Sequence, residues 1–289
     1  MRKYTLIAEV GCNHMGDFDL AKRFIENAHS FCGVTNIKFQ KRNSRELLPR
    51  DQYDAPHPVP ENSFGSTYGA HREFLEFDID QHGKLKRHCD DRGIIYGCSV
   101  WDVTSLREIV SIQPEYIKIP SATNTHTELL TEACQTFPGK IHVSLGMTTR
   151  EEEAELIKLF RSEKRIGDLV LYACTSGYPI QPNEACLFEI SRLIEAYGQD
   201  VDDIGYSGHH NGIALDVVAF TLGANLIERH FTLDRTWKGT DHAASLEPDG
   251  LRRLERNLHY TSQALNFKHE AILEIEKPQR DKLKWRPSA

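Results

Sequence analysis

Residues 204–230 read IGYSGHHNGIALDVVAFTLGANLIERH, and this stretch contains the repeating unit that decides the fold. Short apolar runs at Ile204–Ser207 and Leu226–His230 predict two strands, separated by enough chain for one helix. A strand, a helix and a second strand in this order form a βαβ unit with parallel strands. The stretch therefore predicts a parallel sheet with helices packed against it.

The same alternation runs through the rest of the chain. Six more strands are predicted, at Thr5–Val10, Asn36–Gln40, Ile94–Ser99, Tyr116–Pro120, Ile141–Leu145 and Leu169–Ala173. Amphipathic stretches with a helical period lie between strands, most clearly at Phe18–Phe31, Arg150–Arg161 and Asp249–Leu265. Eight such units close most simply as an α/β fold, the (β/α)8 TIM barrel. A doubly wound open sheet is the alternative, but its G-x-G-x-x-G turn is absent after the first strand.

Two stretches depart from this alternation. Residues 41–78 follow the second strand and are rich in proline and glycine. They indicate either a substrate-binding loop on the side of the barrel where active sites lie or a surface loop without a role in the site. After Phe267 the chain becomes polar. We therefore expect one catalytic barrel domain over residues 1–267, with an insertion at 41–78, and a polar C-terminal tail over 268–289.

Composition excludes several classes of protein. The 289 residues include 35 basic and 42 acidic side chains, a net charge of −7, so no bulk attraction to nucleic acid or anionic membrane is expected. No apolar run approaches the ~20 residues of a membrane span, and the apolar run near Met1 is shorter than a signal peptide is expected to need. Seven cysteines without a C-x-x-C pair fit reduced thiols. These features predict a cytoplasmic protein.

Polar residues at the carboxyl ends of the predicted strands mark the candidate site, because catalytic groups of barrels lie at this face. Glu9 ends the first strand, Lys38 and Gln40 end the second, and Lys118 lies on the fourth. Buried ammonium groups are costly unless they meet an anion, so the lysines predict a phosphate or carboxylate ligand. The alternative is that Glu9 and Glu228 neutralise them as structural ion pairs.

Two histidines end the last two strands. His209 and His230 are 21 residues apart, one βα unit, so their imidazoles should meet at neighbouring strand ends. Paired imidazoles with open coordination positions suit a divalent transition metal, although each could instead be a hydrogen-bonded core residue. His210 points away by strand parity. Asp241, in the loop after the eighth strand, is a candidate acid or base, or simply a turn residue.

Eight segments in order resemble the N-acetylneuraminate (sialic acid) synthase family. They are IAEVGCNHMGD, IKFQ, TYGAHREFLEF, YIKIPSATN, SLGMTT, CTSGYP, GYSGHH and ERHFTLDRTWKGTDHAASLEP, which together span most of the predicted barrel. The resemblance implies condensation of phosphoenolpyruvate with an N-acetylmannosamine-like sugar aldehyde, giving a sialic-acid-type nonulosonate, or a related 3-deoxy-2-ulosonic acid, and phosphate. It also implies a divalent metal, most often Mn²⁺, that polarises the aldehyde oxygen.

The resemblance also implies roles for individual residues. The metal ligands would be His209 and His230. Phosphoenolpyruvate would be surrounded by Lys38, Ser99, Lys118, Ser121, Ser176 and Ser207. The sugar would be faced by Glu9, Gln40, Tyr178 and Asp241, of which Glu9 or Asp241 would manage the proton of the attacking water.

Some positions depart from the family pattern. Ser99 stands for threonine, Ser176 for asparagine, Gly208 for aspartate and Pro120 for glycine. Family members usually continue into a small antifreeze-like domain that offers an arginine to the sugar of the partner subunit, and this sequence stops near where it would begin. We therefore expect a homodimer with a more open site and weaker discrimination of the sugar's acyl group, unless another residue or a separate small antifreeze-like domain protein supplies the contact.

Two other functions remain open at this stage. Lys118 could form a Schiff base with pyruvate, as in barrel aldolases, but the two histidines would then have no role. A catalytically silent barrel that serves as a scaffold for surface-glycan enzymes is the third possibility, and the retained lysines, histidines and acidic residues argue against it.

Overall fold

The computed structural model describes residues 2–286 as a closed barrel of eight parallel strands in sequence order, in which the last strand pairs with the first. The strands are β1 (Thr5–Gly11), β2 (Asn36–Lys41), β3 (Ile95–Val100), β4 (Tyr116–Ile119), β5 (Lys140–Ser144), β6 (Leu169–Cys174), β7 (Asp203–Gly208) and β8 (Leu226–His230). The predicted (β/α)8 barrel is confirmed, and each predicted strand overlaps the observed one with ends that agree to within one residue.

Helices follow the strands and surround the barrel. They are α1 (Phe18–Ser30), α2 (Ser44–Leu47), α3 (Arg50–Asp54), α4 (Tyr68–Phe74), α5 (Ile79–Asp90), α6 (Val103–Ser111), α7 (Thr127–Thr136), α8 (Arg150–Ser162), α9 (Phe188–Tyr197), α10 (Ala214–Leu222), α11 (Pro248–Ala264) and α12 (Lys277–Leu283). Local sequence explains several starts: Asp17 caps α1 by accepting from the Leu20 N–H, and Thr149 forms a capping box with Glu152 at α8.

Strand residues are buried on both faces, because one face meets the helices and the other fills the barrel. Ile7, Tyr116, Val170 and Tyr172 form a separate cluster of buried side chains inside the barrel. The Tyr172 hydroxyl lies 2.9 Å from His142 Nδ1, so polar atoms of this layer are satisfied internally. This packed layer lies directly beneath the polar residues at the strand ends and supports them.

Parallel register brings the polar strand ends side by side. The paired positions include Glu9 with Lys38, Gln40 with Ser99, Ser99 with Lys118, Ser207 with Glu228, and Glu9 with His230. Residues far apart in sequence therefore become neighbours around one rim of the barrel.

The stretch after β2 is the largest departure from the repeating unit. It contains α2, α3 and α4, and it is held at its start by the Arg42 guanidinium, which contacts the Glu76 carboxylate at 2.6 Å. The Lys41 ammonium donates to the Phe77 carbonyl at 2.9 Å, which joins the two ends of the stretch. The predicted substrate loop is thus a folded element, closed at its base, beside the barrel mouth.

Most residues between 265 and 286 are exposed, and they include the short helix α12. Their predicted role as a polar tail stays a prediction. Within residues 2–286, no helix is long and apolar enough to cross a membrane. All seven cysteines carry free thiols.

Candidate active site

A cavity of about 390 Å³ opens at the carboxyl ends of the strands, a volume suited to a small ligand. All twelve residues proposed from sequence line it: Glu9, Lys38, Gln40, Ser99, Lys118, Ser121, Ser176, Tyr178, Ser207, His209, His230 and Asp241. The structure therefore gathers residues from seven different strands and the loops that follow them into one site.

The floor of the cavity is a cluster of buried charges. The Lys38 ammonium lies 2.5 Å from Glu9 Oε2 and 2.5 Å from Ser99 Oγ. The Lys118 ammonium donates to Glu228 Oε2 at 3.1 Å. The structural ion pairs considered from sequence are therefore present, and the same ammonium groups still face the cavity.

The pKa values of the two carboxyls in this cluster shift in opposite directions. Burial raises the pKa of Glu9 to about 8, although the Lys38 ammonium acts in the opposite direction. Burial also acts to raise the pKa of Glu228, but Lys118 and Lys38 together outweigh it and lower that pKa to about 2. Glu9 therefore holds a proton more readily than Glu228 does, and the Lys38 and Lys118 side chains beside them line the cavity, where an anion can approach them.

Hydroxyl groups and a backbone amide line one side of this floor. The Gly146 N–H donates to Ser121 Oγ at 3.0 Å. A Cβ at position 146 would overlap Ser176 Oγ and come within 2.8 Å of Ser121 Oγ, so the loop approaches the serines this closely only with glycine. Ser207 Oγ donates to Glu228 Oε1 at 3.2 Å. Lysines with converging hydroxyls are the donors that bind phosphate and carboxylate groups.

The two histidines meet at the ends of β7 and β8, with ring centroids 5.5 Å apart. His209 Nδ1 donates to the Thr175 carbonyl at 2.9 Å, so Nε2 is the ring nitrogen that carries the free lone pair. Burial lowers the pKa of the His209 imidazole to about 3. His230 Nδ1 is buried and has no hydrogen-bond partner within residues 2–286, and burial lowers the pKa of this ring as well. Two neutral imidazoles, one with an unpartnered nitrogen, fit a transition metal.

In residues 2–286, no group of three or more His, Cys, Asp or Glu side chains is arranged as a metal site. A metal on His209 and His230 would accordingly take its other ligands from water or substrate. Such an open coordination sphere is typical of catalytic rather than structural sites.

His210, which sequence parity placed outside the site, belongs to a buried network behind it. Its Nε2 lies 3.3 Å from Asp216 Oδ2. The fully buried Arg229 guanidinium donates to Asp216 Oδ2 at 2.5 Å and to the His210 carbonyl at 2.6 Å. This network fixes the backbone that follows His209.

A third group of polar side chains lies between the charged floor and the insertion. Glu9, Gln40 and Asp241 surround Gly11. A Cβ built on Gly11 would lie 3.3 Å from Glu9 Oε1, 3.7 Å from Asp241 Oδ2 and within 4 Å of the Gln40 amide, so the three side chains converge on one point. The Gln40 side-chain oxygen accepts from the Arg42 guanidinium at 3.0 Å, and the same guanidinium donates to Cys12 Sγ at 3.3 Å. These contacts connect the floor to the insertion.

Sequence reasoning missed several cavity residues. His57, Tyr68, His71 and Arg72 from the insertion form a wall of the cavity, and Cys12, Arg42, Trp101, Ser144 and Cys174 also line it. Three residues of the wall lie in TYGAHREFLEF, a segment that carried the family resemblance but was given no site role. A cluster of aromatic, imidazole and guanidinium groups in a proline-rich insertion was the available signal.

Comparisons with known proteins agree on one family. The model of the NeuB family matches residues 24–270. The human protein named N-acetylneuraminate-9-phosphate synthase is 35% identical over 280 residues, which cover 96% of this chain and 76% of that protein. The N,N'-diacetyllegionaminic acid synthase of Campylobacter jejuni is 32% identical over 266 residues, which cover 92% of this chain and 78% of that protein.

Solved structures give the same result. The N-acetylneuraminic acid (sialic acid) synthetase of Leptospira borgpetersenii, determined with citrate, superposes with a TM-score of 0.81 at 28% identity and covers 99% of this chain and 94% of that one. Shared fold, matching family model and extended sequence identity together show that this chain belongs to the NeuB family.

Proposed function

We propose that this chain condenses phosphoenolpyruvate with the aldehyde of an N-acetylmannosamine-like sugar, and that it releases a sialic-acid-type nonulosonate and phosphate. The observation that carries the proposal is the location of two buried ammonium groups, Lys38 and Lys118, in the same cavity as the histidine pair. An anion-binding floor beside a metal-compatible imidazole pair is what a reaction between an enol phosphate and an aldehyde requires.

Phosphoenolpyruvate would bind to the floor of the cavity. Its carboxylate and phosphate would be held by Lys38, Lys118 and the hydroxyls of Ser99, Ser121, Ser176 and Ser207. Burial strengthens these interactions because water does not screen them. Burial raises the pKa of Glu9 and so favours its neutral form, which lets an incoming anion take its place as a partner of Lys38.

In the reaction, C3 of phosphoenolpyruvate forms a carbon–carbon bond with the aldehyde carbon. Water adds at C2, and the C2–O bond to phosphate breaks. The Glu9 carboxyl, whose pKa is raised by burial, can donate a proton as the aldehyde oxygen becomes a hydroxyl. The Asp241 carboxylate faces the same space as Glu9 and can accept a proton from the attacking water.

His209, through Nε2, and His230 are the residues proposed to hold a divalent metal, with Mn²⁺ as the expected ion. When bound, such an ion would polarise the aldehyde oxygen as a Lewis acid. The chain's own part is to keep both imidazoles neutral by burial and to orient the His209 ring through the Thr175 carbonyl.

The direct test is phosphate release from phosphoenolpyruvate with a panel of amino-sugar aldehydes, with the products identified by mass spectrometry. Release that depends on the sugar, together with a product whose mass equals sugar plus pyruvate, is the expected result. No sugar-dependent release with any aldehyde, in the presence of Mn²⁺, would overturn the proposal. Borohydride treatment with pyruvate is the accompanying control, since a stable adduct on Lys118 would indicate the Schiff-base aldolase instead.

A further inference from the structure

A cluster of buried polar side chains lies behind the histidine pair and takes no part in the proposed reaction. Its members are Tyr206, His210, Asp216 and Arg229, each of which exposes 1% or less of its surface. All four lie outside the lining of the cavity. A fully buried ion pair adds little stability, because the cost of removing both charges from water offsets their attraction. The cluster therefore calls for a role other than stability.

Asp216 is the centre of this cluster. Its Oδ2 accepts from the Arg229 guanidinium at 2.5 Å and lies 3.3 Å from His210 Nε2. Asp216 belongs to α10, whereas Arg229 belongs to β8 and His210 follows β7. Arg229 points toward the helices because its two neighbours on the strand, Glu228 and His230, point into the cavity. One carboxylate oxygen thus joins a helix to the ends of two neighbouring strands.

The Arg229 guanidinium, once held by the carboxylate, clamps the turn that follows β7. It donates to the His210 carbonyl at 2.6 Å and to the Gly212 carbonyl at 2.9 Å. His209 directly precedes these two acceptors, and its own carbonyl accepts from the Ile180 N–H at 3.1 Å. The backbone of His209 is therefore fixed on one side by Ile180 and on the other by the clamp.

The residue on the other side of His209 leaves no room for a side chain. A Cβ at Gly208 would lie 2.8 Å from Tyr206 Cε1, 3.0 Å from Arg229 Cδ and 3.2 Å from Asp216 Oδ1. The family pattern has an aspartate at position 208, where this chain has glycine. The carboxylate at this point is supplied by Asp216, which lies outside the segments that carry the family resemblance. The arrangement is thus a feature of this chain.

We propose that Asp216 is a positioning residue for the metal site, and that it acts by holding Arg229 against the turn so that His209 Nε2 stays directed toward His230. The inference rests on the proposed function for the metal itself and adds a residue of α10 that touches neither metal nor substrate. Binding groups must be held within about 0.5 Å of their working geometry. With ring centroids 5.5 Å apart, the two imidazoles can share one ion only while the turn keeps its place.

Asp216→Asn is the first test, because it removes the charge and keeps the size of the side chain. We expect the metal-free full chain to bind Mn²⁺ about 10- to 100-fold more weakly than the wild type, the range for loss of an outer-shell partner. Affinity for phosphoenolpyruvate, measured without metal, should stay unchanged, because Lys38 and Lys118 belong to β2 and β4. Calorimetric titration measures both affinities in the absence of turnover.

Glu153→Gln is the matched control. Glu153 is also a buried carboxylate, and it pairs with the Arg192 guanidinium at 2.6 Å, but it lies on α8 and outside the lining of the cavity. The control variant should lose stability and keep its affinity for Mn²⁺. Equal losses of Mn²⁺ affinity in the two variants, or wild-type affinity in a folded Asp216→Asn chain, would overturn the positioning role.

Nitrogen NMR of the metal-free chain with ¹⁵N-labelled histidine observes the His209 ring directly, and His209→Ala identifies its signals. The wild type should show one tautomer, protonated at Nδ1 by its bond to the Thr175 carbonyl, and Asp216→Asn should shift or broaden these signals. Shifted signals without Mn²⁺ binding by the wild type support the positioning role and contradict the metal assignment. Unshifted signals with Mn²⁺ binding by the wild type overturn the positioning role alone. If Asp216→Asn does not fold, His210→Asn removes the imidazole that Asp216 holds, and the same two measurements decide.

Discussion

Lys118 is a buried ammonium with two partners, the Glu228 carboxylate at 3.1 Å and the face of the Tyr172 ring, whose centroid is 3.4 Å away. Lys118→Ala removes an anion-binding group, so we expect phosphoenolpyruvate to bind about 2–5 kcal/mol more weakly. Calorimetric titration with phosphoenolpyruvate measures the change. Lys140→Ala is the matched control, because Lys140 also lies on a strand but is exposed and pairs with Asp202. Unchanged affinity in Lys118→Ala would remove this residue from the substrate site.

His209 and His230 are tested by metal binding as well as by activity. His209→Ala and His230→Ala should each remove a metal ligand, and loss of a direct ligand should exceed the roughly 10- to 100-fold cost of an outer-shell change. Titration of the metal-free chain with Mn²⁺ gives a readout independent of turnover. His88→Ala, a change at a histidine that pairs with Glu26 on the surface, should behave as wild type. Full activity of the chelator-treated enzyme without added metal would contradict the assignment.

The insertion depends on one close contact between two of its helices. A Cβ at Gly69, on α4, would overlap the ring of Tyr53, on α3. Gly69→Ala should therefore push α4 away and destabilise the protein by about 1–3 kcal/mol, the usual cost of an overpacked site. Because α4 carries Tyr68, His71 and Arg72, the KM for the sugar should rise while affinity for phosphoenolpyruvate stays unchanged. Gly167→Ala is the control, since a Cβ there meets no atom within 4 Å.

The stability of the whole molecule should fall in acid because of buried neutral histidines. His14 stacks on Phe77 at 4.0 Å and accepts from the Gly16 N–H at 3.1 Å, and burial, aided by Arg42, lowers its pKa to about 3. The unfolded chain takes up this proton near pH 6.5, so stability is full above that pH and is lost as pH falls toward 3.

His14→Asn keeps an acceptor for the Gly16 N–H and removes the titrating ring. We expect the slope of unfolding free energy against pH, measured by urea denaturation between about pH 4 and 6, to decrease by up to ~1.4 kcal/mol per pH unit. His269→Asn, at an exposed position, should leave the slope as it is. An identical slope in His14→Asn would show that His14 does not contribute to acid sensitivity.

Association of whole molecules is the remaining prediction from the family resemblance. We expect a homodimer, and sedimentation equilibrium of the purified chain across a range of concentrations measures it. A mass twice that of one chain is the expected result. A monomer at all concentrations would contradict the predicted homodimer.

The sequence by itself determined the barrel and the polar rim of its site. The periods that predict strands and helices are local properties of the sequence. Once the strands are parallel, the carboxyl ends of all of them lie at one face of the barrel, so the fold alone brings Glu9, Lys38, Lys118 and His230 together. Only the tertiary structure decided how these groups interact. The pKa of Glu9 is raised and that of Glu228 is lowered because the balance between burial and the two lysines differs at the two carboxyls, which spacing along the chain does not encode. The same holds for the cavity wall formed by His57, Tyr68, His71 and Arg72. The insertion has no regular hydrophobic period, so only its packing against the barrel decides which of its side chains face the cavity.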